Sequence, residues 1–195
     1  GVSSAASDVY KRQYVYNAYG VQGIYSAPGK AVKEAYDSSG VVTNDRGITV
    51  WLKGNRVSRN QIMAIKEESV TDQKNSLTVC LDNILRHAGI TRNTEYDLAQ
   101  GKTAIQILEE NMTGVQVLDL SGCSLDAVLY YVNQDIPVLA ILEDGEAVLV
   151  TGFNEFNVVI MEPSTGKLYK KGMNDATAWF AENGNHFITY MRTEN

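Results

Sequence analysis

Residues 71–90, TDQKNSLTVCLDNILRHAGI, set a polar run against a helix-periodic apolar stretch. Leu77, Cys80, Leu81, Ile84, Leu85 and Ala88 recur at spacings of three and four, which places one apolar stripe on a helix. Gly89 suits the left-handed residue that ends such a helix. Ser76 stands at its start, where serine is a preferred N-cap. A helix N-terminus stabilises a thiolate, yet the first turn here carries a hydroxyl. Cys80 lies a full turn further in, on the apolar stripe, where a small core residue is the simpler role.

Downstream, KTAIQILEENMTG (102–114) predicts a second, shorter helix and VQVLDL (115–120) a strand. Ser124 caps a third helix through SLDAVLYYVNQ, with Asp126 near its positive end. PVLAILEDGEAVLVTGF (137–153) has the pattern of a hairpin turning at Asp144-Gly145. A strand VVIMEP, a short helix DATAWFAENG stopped by Gly184 and a last strand HFITYM follow. Helices come first and antiparallel strands after, so the fold class is α+β.

Upstream, residues 14–68 predict a small subdomain: a helix in GKAVKEAYDSSG and a β-hairpin in GVVTNDRGITVWLKGNRVS. It holds no cysteine or histidine, so catalytic chemistry is expected from 69–195 instead. Lys53, Arg56 and Arg59 form a small basic cluster, expected on a solvated hairpin. SSAASDVYKRQ (3–13) resembles the in-frame translation of an adaptor used in transposase-based sequencing libraries. Residues 1–13 are therefore set aside as non-native. The expectation is a bacterial metagenomic gene fragment without its natural beginning, from an extracellular or cell-envelope protein.

The 195 residues are enough for a core-bearing domain, and 44% apolar with 21% charged residues is globular composition. A formal charge of −6 argues against nucleic-acid partners, since no basic surplus exists to neutralise phosphates. No apolar stretch has membrane-spanning length. Cys80 and Cys123 allow one disulfide or two free thiols. His87 and His186 are the only histidines and neither is spaced with a cysteine as a zinc ligand, so no metal or other cofactor is expected.

The order of elements, with three local patterns, resembles the C39-like branch of the papain-like cysteine peptidases over residues 69–195. In that family a Cys-Gly-Pro-type start opens a helix that ends near Gly-Ile. Counting back from Gly89-Ile90 puts Ser76 at the cysteine position. A helix followed by a G-x-P-V strand is matched by LYYVNQDIPVLA, with Asp135 where glycine is usual. The H-A-V-V-V-T-G-Y strand is matched by EAVLVTGF, and the later D-P by Glu162-Pro163 in VVIMEPSTG. The resemblance implies N-terminal helices packed on an antiparallel sheet, here with a small N-terminal β-hairpin extension. It also implies Gln73 as the candidate oxyanion-hole glutamine.

The resemblance keeps framework and drops chemistry. A papain-like enzyme needs a thiolate, an imidazole to take its proton and a group orienting that imidazole. The three positions read Ser76, Glu146 and Glu162. Ser76 is then expected as a plain N-cap, His87 against the carbonyls ending its helix, His186 at a surface or edge. Glu146, beside Gly145, is expected as a solvent-facing hairpin residue. The implied function is a catalytically inactive domain that holds a peptide or protein ligand, as degenerate C39-like domains on export transporters do. Tyr130, Tyr131, Phe153 and Phe156 are candidates to line a peptide groove, or ordinary core. Two rivals rest on the same residues: an active peptidase using Cys80 or a serine variant using Ser76, and a structural segment of a larger cell-surface protein.

Overall fold

Apolar alternation in 137–153 places β7 (Val138–Ile141) and β8 (Ala147–Phe153) at the centre of a sheet, all seven residues of β8 being buried. The computed structural model describes residues 10–54 and 61–194. Around this pair, β9 (Asn157–Glu162), β10 (Lys167–Gly172), β11 (Phe187–Arg192) and β6 (Val115–Asp119) complete the order β10-β9-β8-β7-β11-β6. β5 (Gln61–Ile62) runs along β8 beyond the end of β7. All these pairings are antiparallel.

A second sheet, in the order β2-β1-β3-β4, is built by β1 (Gln13–Asn17), β2 (Gly20–Tyr25), β3 (Val41–Asn44) and β4 (Thr49–Leu52). The expected hairpin is β3–β4, turned by Asn44, whose Oδ1 accepts from the Arg46 and Ile48 amides. Arg56 and Arg59 lie outside the described residues. The β1–β2 hairpin has no place in the sequence expectations, nor does β10. Gln13, set aside with the adaptor-like segment, is fully buried and its Oε1 accepts from Gln116 Nε2 at 3.3 Å. Asn44 Nδ2 donates to Gln116 Oε1 at 3.1 Å.

α1 (Pro28–Ser38) starts on a proline, whose fixed φ suits a first helical turn, and ends on Ser39 at φ 57°. α2 (Ser76–His87) buries Val79, Cys80, Leu81, Ile84 and Leu85 against the sheet. Truncating one of the leucines would cost about 2–5 kcal/mol. α2 ends as the sequence predicts: Gly89 has φ 85°, Ile90 N–H donates to Leu85 O and Gly89 N–H to Arg86 O, a Schellman motif. α3 (Glu95–Ala99) is unanticipated, whereas α4 (Ala104–Asn111) opens with a capping box between Thr103 and Gln106. α5 (Leu125–Val132) carries the expected Ser124 cap, and α6 (Met173–Glu182) precedes β11.

The two sheets share one core. Trp51 Nε1 on β4 donates to Ala127 O on α5, and Tyr131 OH on α5 donates to Val50 O on β4. Both bonds are buried and cross from one section to the other, so α5 is fastened to β4 at two points.

Candidate functional site

The first turn of α2 is organised by Asn75. Its Oδ1 accepts from Thr78 N–H and Thr78 Oγ1, both at 2.9 Å, so Asn75 is the N-cap. This corrects the expectation for Ser76, which occupies the next position, is 2% exposed, and turns its hydroxyl towards β8. Ser76 Oγ accepts the Ala147 N–H at 2.9 Å. Asn75 can reach the orphan helix amide, which leaves Ser76 free to satisfy the first amide of the buried strand.

Glu146 immediately precedes that amide. It is half-buried rather than fully solvent-facing, and its N–H donates to Asp144 Oδ1 in the Asp144-Gly145 turn. Met161 pairs with Leu149 across β9 and β8, so the neighbouring Glu162 points to the other face of the sheet. By the same alternation, Val148 and Glu146 point to that face. Glu162 accepts from Thr165 Oγ1 at 3.0 Å and from Tyr169 OH at 3.3 Å. Burial, with the Glu162 charge and hydrogen bond adding, pushes the Tyr169 phenol up to about 12. Gln73 is exposed, and its amide donates to Thr71 Oγ1 at 3.2 Å.

Ser76 and Glu146 are thus neighbours, and the chemistry available to them is narrow. The Ser76 oxygen is already an acceptor, is shielded from solvent and makes no hydrogen bond to an imidazole. His87 lies eleven residues along the same helix, about 16 Å away by the helical rise. Its Nε2 is 3.0 Å from Asp135 O and 3.3 Å from Asp135 Oδ2, so its partner is the turn after α5 and not the carbonyls ending its own helix. Asp135 takes φ 64°, the left-handed region in which glycine costs least, and uses its side chain on His87. His186 is exposed, just ahead of β11.

Both cysteines are free and buried, which removes the disulfide they were able to form. Cys80 is sealed into α2, and burial pushes its thiol well up, with the Glu68 and Glu146 charges adding to the shift. Cys123 Sγ donates to Gly29 O at 3.3 Å, and burial raises its thiol to about 12. A nucleophilic cysteine needs the opposite, an exposed site with a lowered pKa. Among the described residues no group of three or more His, Cys, Asp or Glu side chains could hold a metal ion, and no helix is long and apolar enough to cross a membrane.

Buried charge near the site is structural. Asp82 Oδ2 meets Lys74 Nζ at 3.0 Å, and its Oδ1 accepts from Thr94 N–H and Thr94 Oγ1, both at 2.8 Å. The carboxylate ties the segment before α2 to the segment after it. An aspartate on the polar side of a helical pattern carries no mark of this in sequence.

A cleft of about 670 Å³ lies at the far end of β8, lined by Tyr36, Trp51, Tyr130, Phe153 and Met173 among others. Tyr130 and Phe153 therefore do line a cleft, whereas Tyr131 is core and Phe156 is 69% exposed. Phe153 is six residues from Ala147 along β8, about 20 Å. The cleft is separate from Ser76.

No family model matches the chain, and no curated protein matches it. Among solved structures, one assigned as a C39-like peptidase from Bacillus anthracis superposes with a TM-score of 0.55 at 15% identity, covering 73% of this chain and 100% of that one. The fold is that of the C39-like peptidases. A double-glycine-motif protease from an AMS/PCAT transporter, solved with its leader peptide, gives a TM-score of 0.46 at 13% identity, over 69% of this chain and 94% of that one. The C39-like fold accounts for the helices-then-sheet order, with α2 packed against the strand that starts at Ala147. Within it, Ser76 and Glu146 come together at the start of β8, and neither is hydrogen-bonded to a histidine.

Proposed function

We propose that this chain is a catalytically inactive domain of C39-like fold that binds an extended peptide or protein segment. The observation that carries the proposal is the Ser76 hydroxyl, 2% exposed and engaged by the Ala147 amide at the point where the resemblance calls for a reactive thiol. A buried hydroxyl without a base is a poor nucleophile. The rival thiol, Cys80, is sealed in the core with its pKa raised.

Support for the binding half comes from β10, an edge strand next to Glu162. The Leu168 amide on that edge is met by the Glu67 carboxylate at 3.2 Å, where a neighbouring strand would otherwise supply a carbonyl. An extended peptide adds to such an edge through its main chain. The test is fluorescence anisotropy with labelled extended peptides, followed by mass spectrometry of the same samples. Binding with every peptide recovered intact is expected. Cleavage that scales with protein and disappears in Ser76→Ala would overturn the proposal, and so would a library in which no peptide binds.

A further inference from the structure

Tyr190 on β11 is 2% exposed, yet its hydroxyl makes no hydrogen bond among the described residues. A buried phenol normally finds a partner for that group. The hydroxyl is not sealed into the core. It opens on a cleft of about 520 Å³ where the end of α2, the end of α4 and the β11–β6 pair meet. Burial raises the Tyr190 pKa, the Arg192 charge opposes the shift and the Asp135 charge adds to it, so the phenol is a neutral donor at neutral pH.

Two opposite charges line the same cleft without pairing. Tyr190 pairs with Val117 and Arg192 with Val115 on β6, so by strand alternation Tyr190 and Arg192 share one face, about 6.6 Å apart along β11. Arg192 Nη1 donates to Gln134 O at 3.2 Å, and the guanidinium makes no ion pair among the described residues. Glu194 lies on the same rim and likewise has no ion pair or hydrogen bond among them. Its carboxylate folds over Gly114, 2.8 Å from the place where a side chain there would begin. Asp135, the other acid close by, is taken by His87 Nε2 at 3.3 Å. Ile90, Met112 and Val115 supply an apolar wall.

We propose that this cleft binds a free α-amino acid with an apolar side chain, its carboxylate on Arg192 and Tyr190 and its ammonium on Glu194. A guanidinium and a phenol on one strand face are both donors, and a carboxylate accepts from both. Glu194 and the negative end of the α2 dipole favour a cation beside it. A plain anion would meet Glu194 and that helix end, and a plain cation would meet Arg192. A molecule that carries both charges avoids either conflict. The volume falls in the range of small-molecule sites. The inference goes beyond peptide binding: β11 and β6 stand at the opposite end of the sheet order from β10, and Ser76 is at the other end of α2.

Isothermal titration calorimetry of the whole chain with L-leucine tests it. Isocaproate is the same skeleton without the ammonium, and isoamylamine the same without the carboxylate. L-Leucine should bind at least about tenfold more tightly than either, the scale of one lost hydrogen bond to a charged group. Arg192→Gln, Glu194→Gln and Tyr190→Phe should each weaken it by about tenfold. Because the Tyr190 hydroxyl has no partner in the free chain, Tyr190→Phe should keep or raise the urea midpoint while it lowers affinity. The proposal is overturned if leucine, methionine and phenylalanine all fail to bind below about 10 mM, or if either half-molecule binds as tightly as leucine. A lowered urea midpoint in Tyr190→Phe, or leucine affinity unchanged in both Tyr190→Phe and Arg192→Gln, overturns it too.

Discussion

Ser76 and Ala147 are joined hydroxyl to amide at 2.9 Å, so the first turn of α2 is pinned to the first residue of β8. The bond explains why Ser76 is buried: its hydroxyl satisfies the amide at the start of β8. Ser76→Ala would leave that amide orphaned, at a cost of about 1–3 kcal/mol. Urea unfolding should show this loss, and by the proposed function neither the variant nor the parent should cleave peptides.

If α2 and β8 present the two catalytic positions of the C39-like fold, the missing groups can be restored in pairs. Ser76→Cys alone should alkylate slowly, because nothing nearby takes the thiol proton. Ser76→Cys with Glu146→His should raise the iodoacetamide rate at neutral pH by about tenfold or more, since an adjacent imidazole promotes the thiolate. Equal rates for the single and double variants would show that the two positions do not face each other.

Asp82 answers to stability. Its carboxylate, 1% exposed, serves Lys74 and both polar groups of the fully buried Thr94. Asp82→Ala should destabilise the chain by about 3 kcal/mol, through an unpaired lysine and two unsatisfied donors. Thermal melts should show the shift, with peptide binding unchanged wherever the variant remains folded.

Alkaline pH should loosen the fold. Cys123 is raised from 9.0 to about 12 and Cys80 well above 9.0, both by burial first. The unfolded chain therefore loses these protons at lower pH than the folded one. Their stabilisation is complete below pH 9.0 and is lost as pH climbs towards about 12. Urea midpoints measured across that window should fall steadily. At neutral pH, iodoacetamide should label neither thiol in the native protein and both in urea. Fast native labelling of Cys80 would revive the thiol-peptidase alternative.

Local pattern made much of the fold legible. Apolar spacing marked α2 and Gly89 marked its end; Asp144-Gly145 and Asn44 marked their hairpins; Ser124 marked the start of α5. The β1–β2 hairpin escaped because part of β1 belongs to a segment set aside as non-native, and because its outward apolar residues defeat the usual alternation. β10, KLYKKG, escaped because three lysines and a glycine in six residues read as a polar loop.

The sequence by itself determined the α+β order, the helical stripe carrying Cys80, and the absence of histidine at the Glu146 position. These follow from residue identity and from periodicities that span a few neighbours. Tertiary structure alone decided that Ser76 serves Ala147 rather than capping its own helix, that Cys80 and Cys123 remain apart, and that His87 turns to Asp135. Each of those outcomes joins or separates residues more than forty positions apart, as in the 71 between Ser76 and Ala147. Periodicity reports which side of an element is buried; only the packing of elements sets which buried groups meet.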